Sequence, residues 1–420
     1  MLDLRLLRAE PERVRTELHR RGGADDLDRV LELDRDARRM RTRVEAVRAE
    51  RGRISKDIGA AKREGRDADA IQDESRKLGD ELAADEAQLR ELEAERDSVL
   101  LGLPNLAEAD APDGGEDDAV TIRVVGTAPE FDFTPKDHLE IGQLLGVIDT
   151  EQAAKISGAR FAYLLGPLVR LQLALVSFAV DLLGERGFIP VVPPVLVREE
   201  AMFSTGFFPT DRASIYALAD DDLYLVGTSE VPLAGLGYER ILGADELPLR
   251  YAGISTCFRR EAGAAGRDTR GIFRVHQFDK IEMFSFTDAD QSPREHLRIL
   301  SVQEEILTAL GLHYRVQDIA IGDLGASAAR KFDCEAWLPG QGRFREVTSC
   351  SNCTDYQARR LNCRTRTDAG TRFVHTLNGT AVAVGRTLIA LMETHQRADG
   401  SIAVPEVLQS YGAPAELRLT

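Results

Sequence analysis

Two runs of apolar residues near the start of the chain restrict its fold more than any other feature. Between Val30 and Ala61, apolar or small side chains fall at Val30, Leu33, Ala37, Met40, Val44, Val47, Ile54, Ile58 and Ala61, three or four apart with only Arg51 interrupting. A second run passes through Ile71, Leu78, Leu82, Leu89, Leu92 and Val99, with Ser75, Asp85 and Arg96 in polar slots of the same register. Such spacing lays one apolar seam along a helix, and a seam needs a partner to cover it. The joint, "REGRDAD", is a few residues long and contains Gly65, so the two helices must fold back antiparallel. Helices are expected over about 27–64 and 68–101, each on the order of 50 Å long at ~1.5 Å per residue. Such a rod exceeds the width of an ordinary domain and must project into solvent.

The two helices differ in charge. The first carries Arg35, Arg38, Arg39, Arg41, Arg43, Arg48, Arg51, Arg53, Lys56, Lys62 and Arg63, and the second is mostly acidic. Either they form a salt-bridged, solvated coiled coil, or the basic helix follows a phosphate backbone and gains affinity by counterion release. The formal charge of −16 excludes a uniformly basic coat but not a local basic stripe. Past Leu101, "PNLAEADAPDGGEDDA" has the composition of an exposed connection. The expected organisation is therefore an N-terminal domain over 1–103, a linker over 104–130 and one domain of mixed strands and helices over 131–420, without internal repeats.

Five cysteines, an odd number, in a chain without an apolar leader point to a reduced, cytoplasmic setting and no disulfides. Cys350 and Cys353 form C-x-x-C, but no second close pair accompanies them, and no zinc is expected. The most apolar stretch, "LQLALVSFAV" from Leu171 to Val180, lies between Arg170 and Asp181 and is short of the ~20 residues that span a bilayer. It reads as a buried helix, apolar nearly all round from Leu168 to Leu183, which suits a subunit interface as well as a monomer core, and no membrane partner is expected.

The densest chemistry lies in "CFRREAGAAGRDTRGIFRVHQFDKIE", Cys257 to Glu282. Read with period two, "YAGISTCFRRE" and "IFRVHQFDKIEMFSF" are strands and "AGAAGRDTRG" a glycine-rich reversal. Arg274, His276, Phe278, Lys280 and Glu282 then share one face, opposite Phe273, Val275, Ile281 and Met283; on the outgoing strand Cys257, Arg259 and Glu261 fall together. A solvent-facing pair of strands with Arg/Glu cross-pairs would look similar, except for Phe278 at its centre. An aromatic ring among guanidinium groups suits a flat, phosphorylated ligand, the ring stacking on a base and the cations taking phosphate oxygens. The chain has no Gly-Lys dipeptide and so no P-loop.

These residues resemble a known family. "FRRE" at Phe258–Glu261, a loop, then "RVHQF" at Arg274–Phe278 is similar to motif 2 of class II aminoacyl-tRNA synthetases. "GFIPVVPP" at Gly187–Pro194 resembles motif 1, the dimer element with its proline at Pro194, and "NGTAVAVGRTLIALME" at Asn378–Glu393 resembles motif 3, with Arg386 as its arginine. Within the class, "TSEVPL" at Thr228–Leu233, "HQFDKIEMF" and "EVTSCSNCTDYQARR" at Glu346–Arg360 are similar to bacterial-type seryl-tRNA synthetases. The resemblance covers essentially the whole chain, the front rod included. Motif 3 departs at Ala381, where glycine is usual; one methyl group is expected to adjust packing near the serine pocket and leave activity in place.

The resemblance implies an α+β fold, an antiparallel sheet flanked by helices with an N-terminal coiled-coil arm, in a cytoplasmic homodimer. It implies a ligase that forms seryl-adenylate from L-serine and ATP with Mg²⁺, then transfers serine to tRNA(Ser), and to a selenocysteine tRNA where one exists. Arg259 and Arg386 become the catalytic cations. The ATP site would comprise Arg259, Arg260, Glu261, Val275, Phe278, Glu346, Val347, Thr348, Ser349 and Arg386, with Glu346 and Ser349 as Mg²⁺ contacts. Phe278 would stack the adenine, and Glu261 would read its amino group or hold the arginines. Serine would meet Thr228, Ser229, Glu230, Glu282 and Thr380. The arm would reach the tRNA, and "AGAAGRDTRG" would be a mobile loop meeting ATP and then the acceptor end.

Overall fold

The computed structural model describes residues 1–23, 26–262, 266, 268–368 and 370–418. Most of "AGAA" and Arg267 in the glycine-rich loop, and with them the expected mobility, lie outside the described residues. The chain divides into two compact units, Leu2–Pro104 and Asn105–Thr420 together with Met1.

In the first unit, α1 (Leu4–Ala9) and α2 (Pro11–Arg20) precede two long helices, α3 (Leu27–Arg63) and α4 (Asp69–Gly102). The turn between these contains Gly65 at φ +68°, a left-handed position that glycine occupies without strain. The seam is as the spacing requires: Val30, Leu33, Ala37, Val44, Ile54 and Ala61 of α3 are buried, as is Leu82 of α4. Two of the polar slots, Asp85 and Arg96, are ionic. Asp85 is buried and accepts a 2.8 Å bond from Arg43 Nε. Asp34, 1% exposed, is held by Arg8 at 2.6 Å, Arg38 at 3.0 Å and Arg96 at 3.8 Å. Of these three cations only Arg96 lies on α4, so the Asp34–Arg96 contact and the Arg43–Asp85 bond are the buried ionic contacts that a slip of the helix pair would break.

The cations of α3 divide along its length. Arg41 pairs with Glu93, Arg43 with Glu81 and Asp85, and Arg48 with Glu86, all on α4. Farther out, Arg51, Lys56, Lys62 and Arg63 have no ion-pair partner among the described residues. The first group is the salt-bridged coiled coil of the first reading, and the second leaves positive charge for an external anion.

The second unit is built on an eight-stranded sheet of β1 (Val120–Val125), β2 (Ile189–Val191), β3 (Leu249–Phe258), β4 (Gln277–Thr287), β5 (Tyr314–Asp318), β6 (Arg330–Leu338), β7 (Arg343–Asn352) and β8 (His375–Ala383). Its order is β1-β5-β6-β7-β8-β4-β3-β2, antiparallel except where β2 runs parallel to β3. Helices α5 (His138–Leu144), α6 (Pro167–Glu185), α7 (Glu230–Gly235), α8 (Ser292–Ala309), α9 (Tyr356–Leu361) and α10 (Val384–Thr394) flank it. Along β4 the odd residues Ile281 and Met283 enter the main core with Leu171, Leu175, Ile299 and Leu388. The even residues Phe284 and Phe286 join a second cluster with Leu233, Leu361 and Val374 on the other face. That second face is apolar only at this end; toward Gln277 it turns polar, and the site lies there.

One expectation differs from the structure and another is narrowed by it. Segment 104–130 is more than a linker: Asn105 Nδ2 donates to the Ser327 and Cys353 carbonyls at 2.9 Å, and β1 is an edge strand of the sheet. Its alternating V-T-I-R-V-V is short enough to be masked by the acidic run before it. Helix α6 is buried on one side only. It has 19 residues, long and apolar enough to cross a membrane by length and composition, and 44% of its most apolar stretch is buried in the chain. Leu171, Leu175 and Phe178 face the core, while Leu173 is 57% exposed. All five cysteines are buried and free of disulfides; Cys350 lies in the main core, and Cys353 Sγ is 3.7 Å from Ser327 Oγ.

Candidate active site

A cavity of about 340 Å³ opens on the polar end of the sheet, and every residue lining it lies between Phe207 and Arg386. Strands β4, β6, β7 and β8 supply its sheet residues. Because side chains alternate along a strand, Phe278, Lys280 and Glu282 of β4 all reach it. Two β-bulges set the rest. In β7, Thr348 pairs with Cys334 but Glu346 with Glu335, which leaves Val347 as the extra residue. This brings Glu346 and Ser349, three apart, to the same cavity. In β8, Val382 pairs with Ile281 and Thr380 with Glu282, so Ala381 is the extra residue. Its methyl group is buried in the main core and off the cavity wall, while Thr380 lines it.

One half of the cavity is cationic. Arg259 Nε donates to the Gly227 carbonyl at 3.1 Å, its guanidinium lies 5.3 Å from the Phe278 ring centre, and its Nη atoms have no described protein partner. Arg274 Nη1 bonds Glu261 at 2.6 Å, so Glu261 holds an arginine. Arg386 Nη1 donates to the carbonyl and carboxylate of Glu346, both at 3.1 Å, and its guanidinium lies 4.7 Å from the Phe273 ring centre. Enclosure opposes ionisation of Glu346, but the Arg386 and Lys331 charges outweigh it and hold the carboxyl at about 2.

The other half is a small polar pocket. Lys280 Nζ donates to Thr228 Oγ1 at 2.7 Å and pairs with Glu282, whose Oε2 accepts from Thr380 Oγ1 at 3.4 Å. Glu230 accepts from Gln357 Nε2 at 2.7 Å and Asn378 Nδ2 at 3.0 Å. Gln357 is itself fixed by Thr376 Oγ1 at 2.8 Å. Burial, helped by the nearby charge of Glu282, pushes the Glu230 carboxyl up to about 7. Lys280 is the ion-pair partner of Glu282, and Glu230 has amide donors but no cation within ion-pair distance among the described residues, so the pocket can take one more positive charge.

Of the residues singled out from sequence, Arg259, Glu261, Val275, Phe278, Glu346, Val347, Ser349, Arg386, Thr228, Glu230, Glu282 and Thr380 line this one cavity. Ser229, Arg260 and Thr348 lie off its wall. Ser229 is fully buried with an unpartnered hydroxyl, Arg260 is exposed with its N–H on the Ser214 carbonyl at 2.9 Å, and Thr348 is buried opposite Cys334. Lining residues outside that set include Phe273, Arg274, Lys280, Lys331 and Asn378. Period two marks Arg274 and Lys280; nothing local marks Lys331. The alternation fails before Gln277, where β4 begins: Phe273 and Val275 line the cavity, and His276 turns away so that Nδ1 lies 2.8 Å from the Arg259 carbonyl.

The antiparallel sheet, the arginine-flanked Phe278 and the polar pocket beside it define a class II aminoacyl-tRNA synthetase. A model of the class II core domain shared by the glycine, histidine, proline, serine and threonine enzymes matches residues 216–395, and one of the seryl-tRNA synthetase N-terminal domain matches residues 1–107. The serine–tRNA ligase of Thermobifida fusca is 51% identical over 98% of this chain and 97% of its own. Among solved structures, the seryl-tRNA synthetase of Pyrococcus horikoshii complexed with ATP is 41% identical, with a TM-score of 0.94 over all of both chains. The cytoplasmic serine–tRNA ligase of Naegleria fowleri in complex with AMP is 35% identical, with a TM-score of 0.87 over 98% of this chain and 96% of its own. The chain belongs to the seryl-tRNA synthetase family.

Proposed function

We propose that this cavity joins L-serine to ATP as seryl-adenylate and then passes the seryl group to the 3′ end of tRNA(Ser). The observation that carries the reading is the pairing, in one cavity, of an arginine-flanked phenylalanine with a buried polar pocket lacking one positive charge. The serine carboxylate attacks the α-phosphorus, a bond to that carboxylate oxygen forms, and the bond to the β-phosphate oxygen breaks, releasing pyrophosphate. Charge builds on the α-phosphoryl oxygens, and Arg259 with its open Nη atoms is fixed there beforehand. Arg274 and Arg386 serve the outer phosphates, and Phe278 stacks the adenine. No general base is required, since the attacking carboxylate is ionised at neutral pH.

A magnesium ion fits the donor set. Glu346 is ionised, Ser349 offers a hydroxyl on the same wall, and Mg²⁺ is held by one or two protein oxygens together with substrate phosphates. When bound, it would neutralise phosphate charge.

The pocket supplies specificity. Serine's ammonium enters beside Glu230 and Glu282 and completes the charge balance, while its hydroxyl meets Thr380 and Glu282. Alanine leaves these buried groups unpaired, a loss on the order of 10⁴ in such sites. Glu230 sets a pH dependence whose sign is fixed. The ammonium binds the ionised carboxylate, and in the free protein Glu230 takes up a proton as pH falls through about 7. Serine binding then releases that proton, so serine affinity measured by calorimetry is expected to be about tenfold weaker at pH 6 than at pH 8. Glu230→Gln should bind weakly and without that dependence; an unchanged wild-type affinity across this range contradicts the ammonium pocket.

An exposed apolar face supports a homodimer. Leu173 of α6 is 57% exposed and Val192, just past β2, 82%; both line one shallow cleft, and Ile189 of β2, 51% exposed, lies with Val192 in the segment resembling motif 1. Exposed apolar side chains gathered on one face mark an interface, and a second copy of this face is the occupant we propose. Val192→Asp with Leu173→Asp should convert a dimer to a monomer in sedimentation equilibrium; an unchanged mass contradicts it. The unpaired cations of α3, Arg51, Lys56, Lys62 and Arg63, are the arm's contact with tRNA phosphates.

A further inference from the structure

His138 opens α5, is 5% exposed and does not line the cavity. Its ring is wedged between a carboxylate and a backbone N–H: Nδ1 lies 3.1 Å from Glu393 Oε1, and Nε2 lies 3.3 Å from the nitrogen of Ile272. A backbone N–H only donates, so Nε2 is the acceptor and Nδ1 carries the proton given to Glu393. Glu393 of α10 is fully buried and also accepts from the His138 N–H at 3.1 Å, the Gly340 N–H at 3.0 Å and Gln341 Nε2 at 3.3 Å. Gln341 Oε1 in turn accepts from Arg345 Nη1 at 2.9 Å. One buried acid thereby ties together α5, the turn between β6 and β7, and the point where the glycine-rich loop returns to the site.

That return point is held closely. A β-carbon at Gly271 would stand 2.1 Å from His138 Nε2, and Gly271 has φ +75°, so two independent constraints require glycine there. The next residues are Phe273, with Arg345 at 3.7 Å and Arg386 at 4.7 Å from its ring centre, and Arg274, bonded to Glu261. All of these except Arg345 line the nucleotide half of the cavity.

We infer that His138 and Glu393 are positioning residues for the nucleotide: the Nδ1-protonated histidine fixes the backbone at Ile272, and through it Phe273, Arg274 and the arginines stacked on that ring. The inference rests on the reading of this half of the cavity as the ATP site. It predicts an effect on ATP and none on serine, because the network touches no group of the serine pocket.

The test uses the full-length protein in serine-dependent ATP–pyrophosphate exchange. His138→Asn keeps a donor near Nδ1 and loses the acceptor for Ile272, and its KM for ATP should rise about tenfold with KM for serine within about twofold. His138→Gln keeps an acceptor near Nε2 and should bring KM for ATP back to within about threefold of wild type. Gln341→Ala removes the link to Arg345 without burying an unpaired group in the core, and should raise KM for ATP about threefold at unchanged thermal midpoint. Equal rises in both KM values for His138→Asn, no recovery in His138→Gln, or no change in Gln341→Ala would each overturn the assignment. Absence of exchange in the wild type would instead overturn the functional reading on which it rests.

Discussion

Arg259→Ala is expected to lower kcat/KM for serine-dependent ATP–pyrophosphate exchange by about 10³-fold, the scale on which a preorganised charge donor contributes to a developing anion. The reason is geometric. Arg259 spends Nε on the Gly227 carbonyl and its flat face on Phe278, which locks the guanidinium and leaves the Nη atoms open to the cavity. Its backbone is locked as well, the Arg259 N–H donating to the His276 carbonyl at 2.9 Å. Arg259→Lys keeps the charge but neither the planar fork nor the anchoring Nε, so it should recover only about tenfold of the loss. A decrease of less than about fivefold for the alanine variant, read at saturating serine and subsaturating ATP, would place the reacting phosphate elsewhere.

Removing Ala37–Leu92 and joining the helix stumps with a short glycine linker is expected to abolish tRNA charging, by about 10³-fold or more, while exchange stays within about twofold of wild type. The cut falls where the helices face one another, between the Asp34–Arg96 and Arg41–Glu93 pairs. Asp34 thus retains Arg8 and Arg96, and the base of the first unit keeps its buried ionic centre. No cavity residue lies in the deleted segment. A milder variant reports the mechanism: replacing Lys56, Lys62 and Arg63 with glutamine should flatten the salt dependence of tRNA affinity by about 0.7–0.9 log units per lost phosphate contact. Charging that survives the deletion unimpaired would refute the arm's role in holding tRNA.

The parts of this molecule that were legible in its sequence are those governed by local periodicity. The arm follows from apolar residues three and four apart, and its length and antiparallel turn follow from the short joint at Gly65. Phe278, Lys280 and Glu282 follow from strand alternation. What escapes that logic is set by tertiary geometry. Glu346 and Ser349 share a wall only because Val347 bulges, and period two alone would separate them. Phe273 and Val275 reach the cavity because β4 starts at Gln277, so the alternation has no register before it. His138 and Glu393 meet across 255 positions of sequence, with no local pattern to connect them. The one-sided burial of α6 was hidden for a related reason: an interface face and a core face are equally apolar.

The two halves of one cavity bring serine and ATP together. Exchange of labelled pyrophosphate into ATP, measured at pH 8 with serine, alanine and threonine in turn, tests it most directly. Robust exchange is expected with serine, and a kcat/KM for alanine lower by roughly 10⁴, since alanine leaves Thr380 and Glu282 unpaired. Exchange that is absent with serine, or equal for serine and alanine, would contradict it.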